Sequence, residues 1–170
     1  MKQNTPVPQR DRLEKIMQTY GNILFRLCLL TLGNASDAED AVQETFLKAY
    51  RSRNTFRYES SEKTWLMKIA INTCRDMLRG KWFKYVCRNT PLELLPDEGI
   101  TISEESIAVN MAIAALPKKL REAVLLYYYQ GFTLEETAET LGIAVSSVSG
   151  RLTRAKKKLH AALKGVYFDE

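Results

Sequence analysis

The chemistry in this 170-residue chain is concentrated near its end. Ser146, Ser147, Ser149, Gly150, Thr153, Arg154 and Lys157 are polar or small, and they alternate with Val148, Leu152, Ala155, Leu159 and Leu163 at three- and four-residue steps. On a helix that spacing puts the aliphatic residues on one face and leaves the hydroxyls and cations on the other. Six basic residues and no acidic one fall between Arg151 and Lys164. Short donors at the start of such a helix can reach base edges in a DNA major groove, while Arg151, Arg154, Lys156, Lys157 and Lys158 can meet phosphates.

A helix used in this way has to be held at a sharp angle to a neighbour, and the preceding residues suit that task. Thr133 and Glu136 form a capping-box pair at the head of a short helix over 134–141, and Gly142 permits the positive φ of a tight turn. Ala138 is small where two helices approach closely, and Ile143 and Val148 supply an aliphatic wedge. The lysines alone read equally as a solvated helix end favoured by the macrodipole. Cap, alanine, glycine, wedge and basic helix in one register favour a helix-turn-helix that binds DNA.

Two further charged sets lie upstream. Lys68, Asn72, Arg75 and Arg79 step by four, three and four, which gives a cationic stripe with one amide beside an apolar face. Such a stripe suits a nucleic-acid backbone and a base edge. Asp37, Asp40, Gln43 and Glu44 share a polar helix side, a patch that suits a basic protein partner. Taken by itself, the acidic patch is explained at least as well by a solvated face with acids near a helix N-terminus.

Composition narrows the class. Apolar residues at 45% and charged ones at 26% describe a folding chain, not a disordered one. The net charge of +5 is modest, but it is segmented, because Glu93, Asp97, Glu98, Glu104 and Glu105 form a stretch free of Lys and Arg. Cys28, Cys74 and Cys87 are odd in number and lack ligand spacing, so neither a disulfide framework nor a metal site is expected. The apolar run 23–32 is too short to span a bilayer and contains Arg26, and no signal-peptide pattern opens the chain, which points to a cytoplasmic protein. His160 is the single histidine and sits among lysines, and no glycine-rich phosphate loop occurs. No catalytic residue, cofactor or small-molecule substrate is therefore expected.

Helical periodicity predicts the elements that position these sets. Leu13, Ile16, Met17, Tyr20, Leu24, Leu27 and Cys28 mark a first helix that stops at Gly33-Asn34. Ser36 and Glu39 predict the cap of a second, with Ala38, Ala41, Val42, Thr45, Phe46, Ala49 and Tyr50 as its buried stripe. A polar loop over 54–63 precedes a third, with Trp65, Leu66, Ile69, Ala70, Thr73, Cys74, Met77 and Leu78 inward and a stop near Gly80. Helical pattern returns near Glu105, breaks at Leu116-Pro117 and continues through Leu120, Ala123, Val124 and Tyr127 to Gly131, with Pro117 suited to a first helical turn. The expected fold is all-α, with two small helical domains at 1–88 and 105–170 joined by an acidic linker at 89–104. Each core is small for independent stability.

The stretch LPKKLREAVLLYYYQGFTLEETAETLGIAVSSVSGRLTRAKKKL resembles region four of the extracytoplasmic-function class of sigma-70 factors of bacterial RNA polymerase. DAEDAVQETFLKAY and TWLMKIAINTCRDMLR resemble region two of the same class. The resemblance implies that Asp37, Asp40, Gln43 and Glu44 bind core RNA polymerase. It implies that Lys68, Asn72, Arg75 and Arg79, with Tyr58, Ser60, Ser61 and Lys63 in the preceding loop, hold the melted minus-ten element of promoter DNA. Ser146, Ser147, Ser149, Gly150, Arg151, Arg154 and Lys157 then read the minus-thirty-five element as duplex. Two residues depart from the family's habit. Ile71 stands where a basic residue is common, and Ser149-Gly150 replaces a Lys-Ser pair, which leaves fewer long donors for guanine. The resemblance also implies an anti-sigma factor as a partner and no insertion into a membrane. The alternative on the residues is a helix-turn-helix activator or repressor that dimerises on palindromic DNA without polymerase.

Overall fold

The structure is a computed structural model that describes residues 9–52, 60–82 and 104–167; Tyr58 and the linker up to residue 103 lie outside them. Within the described residues every element is helical. Helices α1 (Gln9–Leu32), α2 (Ala35–Ser52) and α3 (Glu62–Trp82) form an N-terminal bundle. Helices α4 (Glu104–Ala114), α5 (Lys118–Val124), α6 (Leu134–Leu141) and α7 (Val145–Tyr167) form the C-terminal part, and a wide π-helical turn, Leu125–Tyr129, extends α5.

The caps follow from local chemistry, with two shifts from expectation. Gly33, at φ 86°, closes α1 with its N–H on the Leu29 carbonyl at 2.8 Å. Asn34 then caps α2 by accepting the Asp37 N–H at 2.8 Å and bonding back to the Asp37 carboxylate. The cap is therefore Asn34 with Asp37; Ser36 lies inside the helix and exposed, because the side chain at 34 accepts an orphan N–H and starts the helix two residues earlier. Pro117 sits at the cap of α5, one place before the expected position, and its carbonyl accepts the N–H groups of Leu120 and Arg121. Helix α3 runs two residues past Gly80, a glycine that is itself exposed.

In the N-terminal bundle, Leu24, Leu27 and Cys28 of α1 meet Ala38, Ala41 and Phe46 of α2 and Ala70 and Cys74 of α3 in the core. Tyr50, expected inside, is 40% exposed, because it falls at the edge of the α2 stripe. Cys28 and Cys74 are buried free thiols, and the hydrogen bond with Cys74, reinforced by burial, pushes the Cys28 thiol far above its ordinary range. Met67 and Ile71 are fully buried although neither belongs to the expected stripe. The reason is that α3 packs against α6 as well as against α1 and α2, and α1 likewise touches α4 and α5.

One apolar cluster thus runs from Leu24 and Met67 through Leu120 and Leu126 to Val148 and Ala155. Two halves that are each too small to bury much surface alone share a continuous interior.

Candidate nucleic-acid interface

The helix-turn-helix is built as its residues require. Glu136 N–H donates to Thr133 Oγ1 at 3.1 Å and Thr133 N–H to Glu136 Oε2 at 2.9 Å, so the capping box closes in both directions. Gly142 takes φ 68°, ψ 41°, and the Ile143 N–H reaches the Ala138 carbonyl at 3.1 Å, which turns the chain within three residues into α7. Val148 and Ala155 are fully buried and Leu152 nearly so, while Leu159 and Leu163 are half-buried toward the helix end.

The opposite face of α7 is open. Ser146, Ser147, Ser149, Arg154, Lys156, Lys157 and Lys158 are exposed, and Gly150 and Arg151 are partly so. The polar contacts at the start of this face are local: Thr153 Oγ1 donates to the Ser149 carbonyl at 2.9 Å, and Arg154 Nε to the Gly150 carbonyl at 3.0 Å. A Cβ added at Gly150 would meet only the Arg154 guanidinium, at 4.0 Å, so packing within the chain does not demand glycine there. The N-terminal turns of α7 thus present a helical ridge of hydroxyls, backbone and cations that fits a major groove.

The α3 stripe is arranged differently. Lys68 and Asn72 are exposed. Arg75 is turned toward α5, where its Nε and Nη2 donate to Glu122 Oε1 and Oε2 at 2.9 and 2.7 Å, a bidentate pair, and its Nη1 makes a longer 3.4 Å contact with Asn72 Oδ1. Glu122 is 2% exposed. The pair holds the Arg75 guanidinium above its ordinary pKa. Arg79 pairs with Asp76, and this contact, with Lys48 nearby, holds the Asp76 carboxyl below its usual range. Burial, helped by the like charges of Arg75 and Arg79 and opposed by Glu122, lowers the Lys118 ammonium.

At the head of α3, Ser61 caps the helix by accepting the Thr64 N–H at 3.0 Å, and its hydroxyl also bonds Thr64 Oγ1 at 2.8 Å. Ser60 beside it is half-buried. Lys63 crosses to the C-terminal part, where Nζ donates to the Gln130 carbonyl at 2.6 Å and lies 5.2 Å from the Phe132 ring centre. Trp65 is half-buried, and Ile71 is enclosed, so the position where the family favours a base faces the interior.

On α2, Asp40 and Gln43 are exposed, and Glu44 is partly covered, 3.9 Å from Lys48. Asp37 is engaged with Asn34. The same side continues through Leu47, 49% exposed, which is absent from the charged set expected from the sequence. An aliphatic residue one turn beyond a run of acids is its only signal, and it makes the patch part apolar, as protein-binding surfaces are. Among the described residues no group of His, Cys, Asp and Glu side chains is placed to hold a metal ion, and no helix is long and apolar enough to cross a membrane.

Comparison with known proteins gives a consistent result. Residues 16–84 match the sigma-70 region 2 family and residues 106–159 match the sigma-70 region 4 family. The chain is 34% identical to the ECF RNA polymerase sigma factor SigM of Mycobacterium tuberculosis over 152 residues, which covers 88% of this chain and 76% of that protein. It is 30% identical to the ECF RNA polymerase sigma factor SigW of Bacillus subtilis over 169 residues, covering 91% and 90%. In fold it resembles the sigma factor RpoE of Bartonella quintana, solved in complex with the anti-sigma factor NepR, with a TM-score of 0.79, 22% identity and coverage of 94% of this chain and 99% of that one. CnrH, solved with the cytosolic domain of CnrY, gives a TM-score of 0.70 at 23% identity, covering 92% and 90%.

Proposed function

Because the chain belongs to the extracytoplasmic-function class of the sigma-70 family, the transcription-initiation factors of bacterial RNA polymerase, we propose that its charged surfaces divide promoter recognition among three helices. Asp40, Gln43 and Glu44 of α2, supported by Asp37 and continued by Leu47, bind core polymerase. Lys68, Asn72, Arg75 and Arg79 of α3, with Tyr58, Ser60, Ser61 and Lys63 before them, hold the melted minus-ten strand. Ser146, Ser147, Ser149, Gly150, Arg151, Arg154 and Lys157 of α7 read the minus-thirty-five duplex. The observation that carries this reading is the exposed polar face of α7 opposite a buried Val148, Leu152 and Ala155, in register with an intact capping box.

The chain supplies binding and no catalytic step, and it works in the cytoplasm, where the polymerase is. One fold relative was solved in complex with an anti-sigma factor, which supports a similar inhibitor here. The acidic linker 89–104 joins the two DNA-reading parts, and their affinities combine only when both are held on one scaffold.

Run-off transcription tests the reading. Core polymerase with a promoter library should give specific starts only when the chain is added. A chain that shifts palindromic DNA but leaves core polymerase inert would replace this reading with that of a free-standing activator or repressor. Replacing Asp40 and Gln43 together by Ala should reduce polymerase capture while leaving duplex binding intact.

A further inference from the structure

Lys48 belongs to none of the charged sets expected from the sequence, yet it stands between two of them. It lies one turn after Glu44 on α2, a spacing at which a lysine ordinarily makes a surface pair within its own helix. Here that contact is the longest of three. Lys48 Nζ is 3.9 Å from Glu44 Oε1 and 3.7 Å from Asp76 Oδ2 of α3, and it donates to Thr73 Oγ1 of α3 at 3.2 Å. Thr73 is 1% exposed, so the ammonium is seated on a hydroxyl enclosed by the core.

Asp76 carries the connection onward. Its Oδ2 faces Lys48 and its Oδ1 accepts from Arg79 Nη2, so one carboxylate joins two cations, one at each oxygen. An isolated pair between two exposed side chains such as Asp76 and Arg79 holds neither in place, because the Coulombic gain in solvent barely offsets the lost rotamer freedom. A carboxylate braced from its other side by an anchored ammonium has fewer orientations to lose, and the three groups act as a network. Arg79 is 76% exposed, and the pair engages a single Nη2. Among the described residues this leaves the rest of the guanidinium fork for a phosphate or a base edge.

We infer that Lys48 is a positioning residue for the minus-ten contact: anchored on Thr73, it braces Asp76, and Asp76 aims Arg79 at the melted strand. The inference rests on the reading of Arg79 as a minus-ten contact. Helix α2 thereby serves the strand as well as the polymerase, through a side chain that touches neither. A guanidinium already aimed loses less freedom on binding than one that must find its orientation in solvent.

The test uses the full chain bound to core polymerase and a labelled single strand carrying the minus-ten region of a promoter that starts in the run-off experiment, with affinity read by fluorescence anisotropy. Lys48→Met keeps a long side chain and removes its charge. It should lower strand affinity about fivefold, the scale of one well-placed ion pair, while polymerase capture is unchanged. Lys48→Arg, whose cation still reaches Asp76, should keep most of the affinity. Asp76→Asn should match Lys48→Met, and it decides the matter if Lys48→Met loses its helical signal. In an Arg79→Ala background Lys48→Met should cost nothing further, since a residue acting through another has no effect once the other is gone. Full strand affinity of Lys48→Met, or an equal loss with and without Arg79, would overturn the positioning role. Full strand affinity of Arg79→Ala would instead remove Arg79 from the minus-ten contacts, and the inference with it.

Discussion

Helix α3 and helix α7 each carry basic side chains at helical spacing beside an apolar stripe, and from residue types alone they are alike. In the folded chain they are in opposite conditions. On α7 Arg154, Lys156, Lys157 and Lys158 are exposed, Lys156 lies 5.9 Å from the Tyr128 ring centre, and among the described residues Arg154 bonds to the carbonyl one turn back in its own helix. On α3 the central cation is locked to a buried carboxylate from the other half, Arg79 is paired with Asp76, and Lys63 at the helix start is bonded to Gln130. The difference teaches that availability of a cationic surface is set by what the rest of the fold brings against it. An exposed pair is worth little, but a pair with one member nearly fully buried fixes an arrangement.

The contrast is most directly broken at Arg75. Arg75→Ala leaves Glu122 buried without its cation and should cost about 3 kcal/mol in urea unfolding, whereas Arg154→Ala should stay within about 0.5 kcal/mol of the parent. Equal losses would mean that the two surfaces do not differ in the way described. Next in size, combined replacement of Asp40 and Gln43 by Ala should weaken polymerase capture by about tenfold or more in a co-purification titration, an effect of the order found when central interface side chains are truncated. Arg154→Ala should spare that capture. It should weaken duplex binding and lower the slope of log affinity against log salt by about 1, the signature of one lost phosphate contact.

Smaller effects sharpen the picture of α7. Thr133→Ala removes one arm of the capping box and should lower thermal stability by about 1 kcal/mol without touching the recognition face. Gly150→Ala should raise stability by up to about 1 kcal/mol, since helix propensity improves and the added methyl makes only an ordinary contact with the flexible Arg154 side chain. If the same change weakens duplex binding, Gly150 is there for close approach of backbone to DNA; if binding is unchanged, the glycine serves no contact.

What was legible in the amino-acid pattern was what is local. Thr133 and Glu136 are three residues apart, Gly142 and Ala138 four, and the α7 stripe repeats over five positions, so the helix-turn-helix follows from spacing. Gly33-Asn34 reads as a helix stop, and the second role of Asn34 as the next helix's cap is hidden because Ser36 and Glu39 carry an equally good pattern two residues on. Tyr50 fits the stripe by spacing and yet is exposed, because periodicity defines the centre of a stripe better than its rim. Glu122 was invisible as a buried group, since a lone acid among Leu120, Ala123 and Val124 looks like the solvent side of a helix. Its partner is supplied across the linker, and no spacing rule reaches that far. Leu29 and Leu30 are hidden for a related reason, because α1 is also contacted by α4 and α5.

The wide turn Leu125–Tyr129 adds a different kind of control. Its signature is the Gln130 N–H on the Leu125 carbonyl at 3.0 Å, five residues back, where a regular helix would reach back four. Regular winding advances by about 100° per residue, so four regular residues would sweep nearly what the five of this wider turn do. The extra residue is absorbed on the spot, and the Gln130 carbonyl that Lys63 holds follows directly after it. The turn therefore works as slack in the chain: it takes in one residue without changing the aim of the reading head formed by α6 and α7.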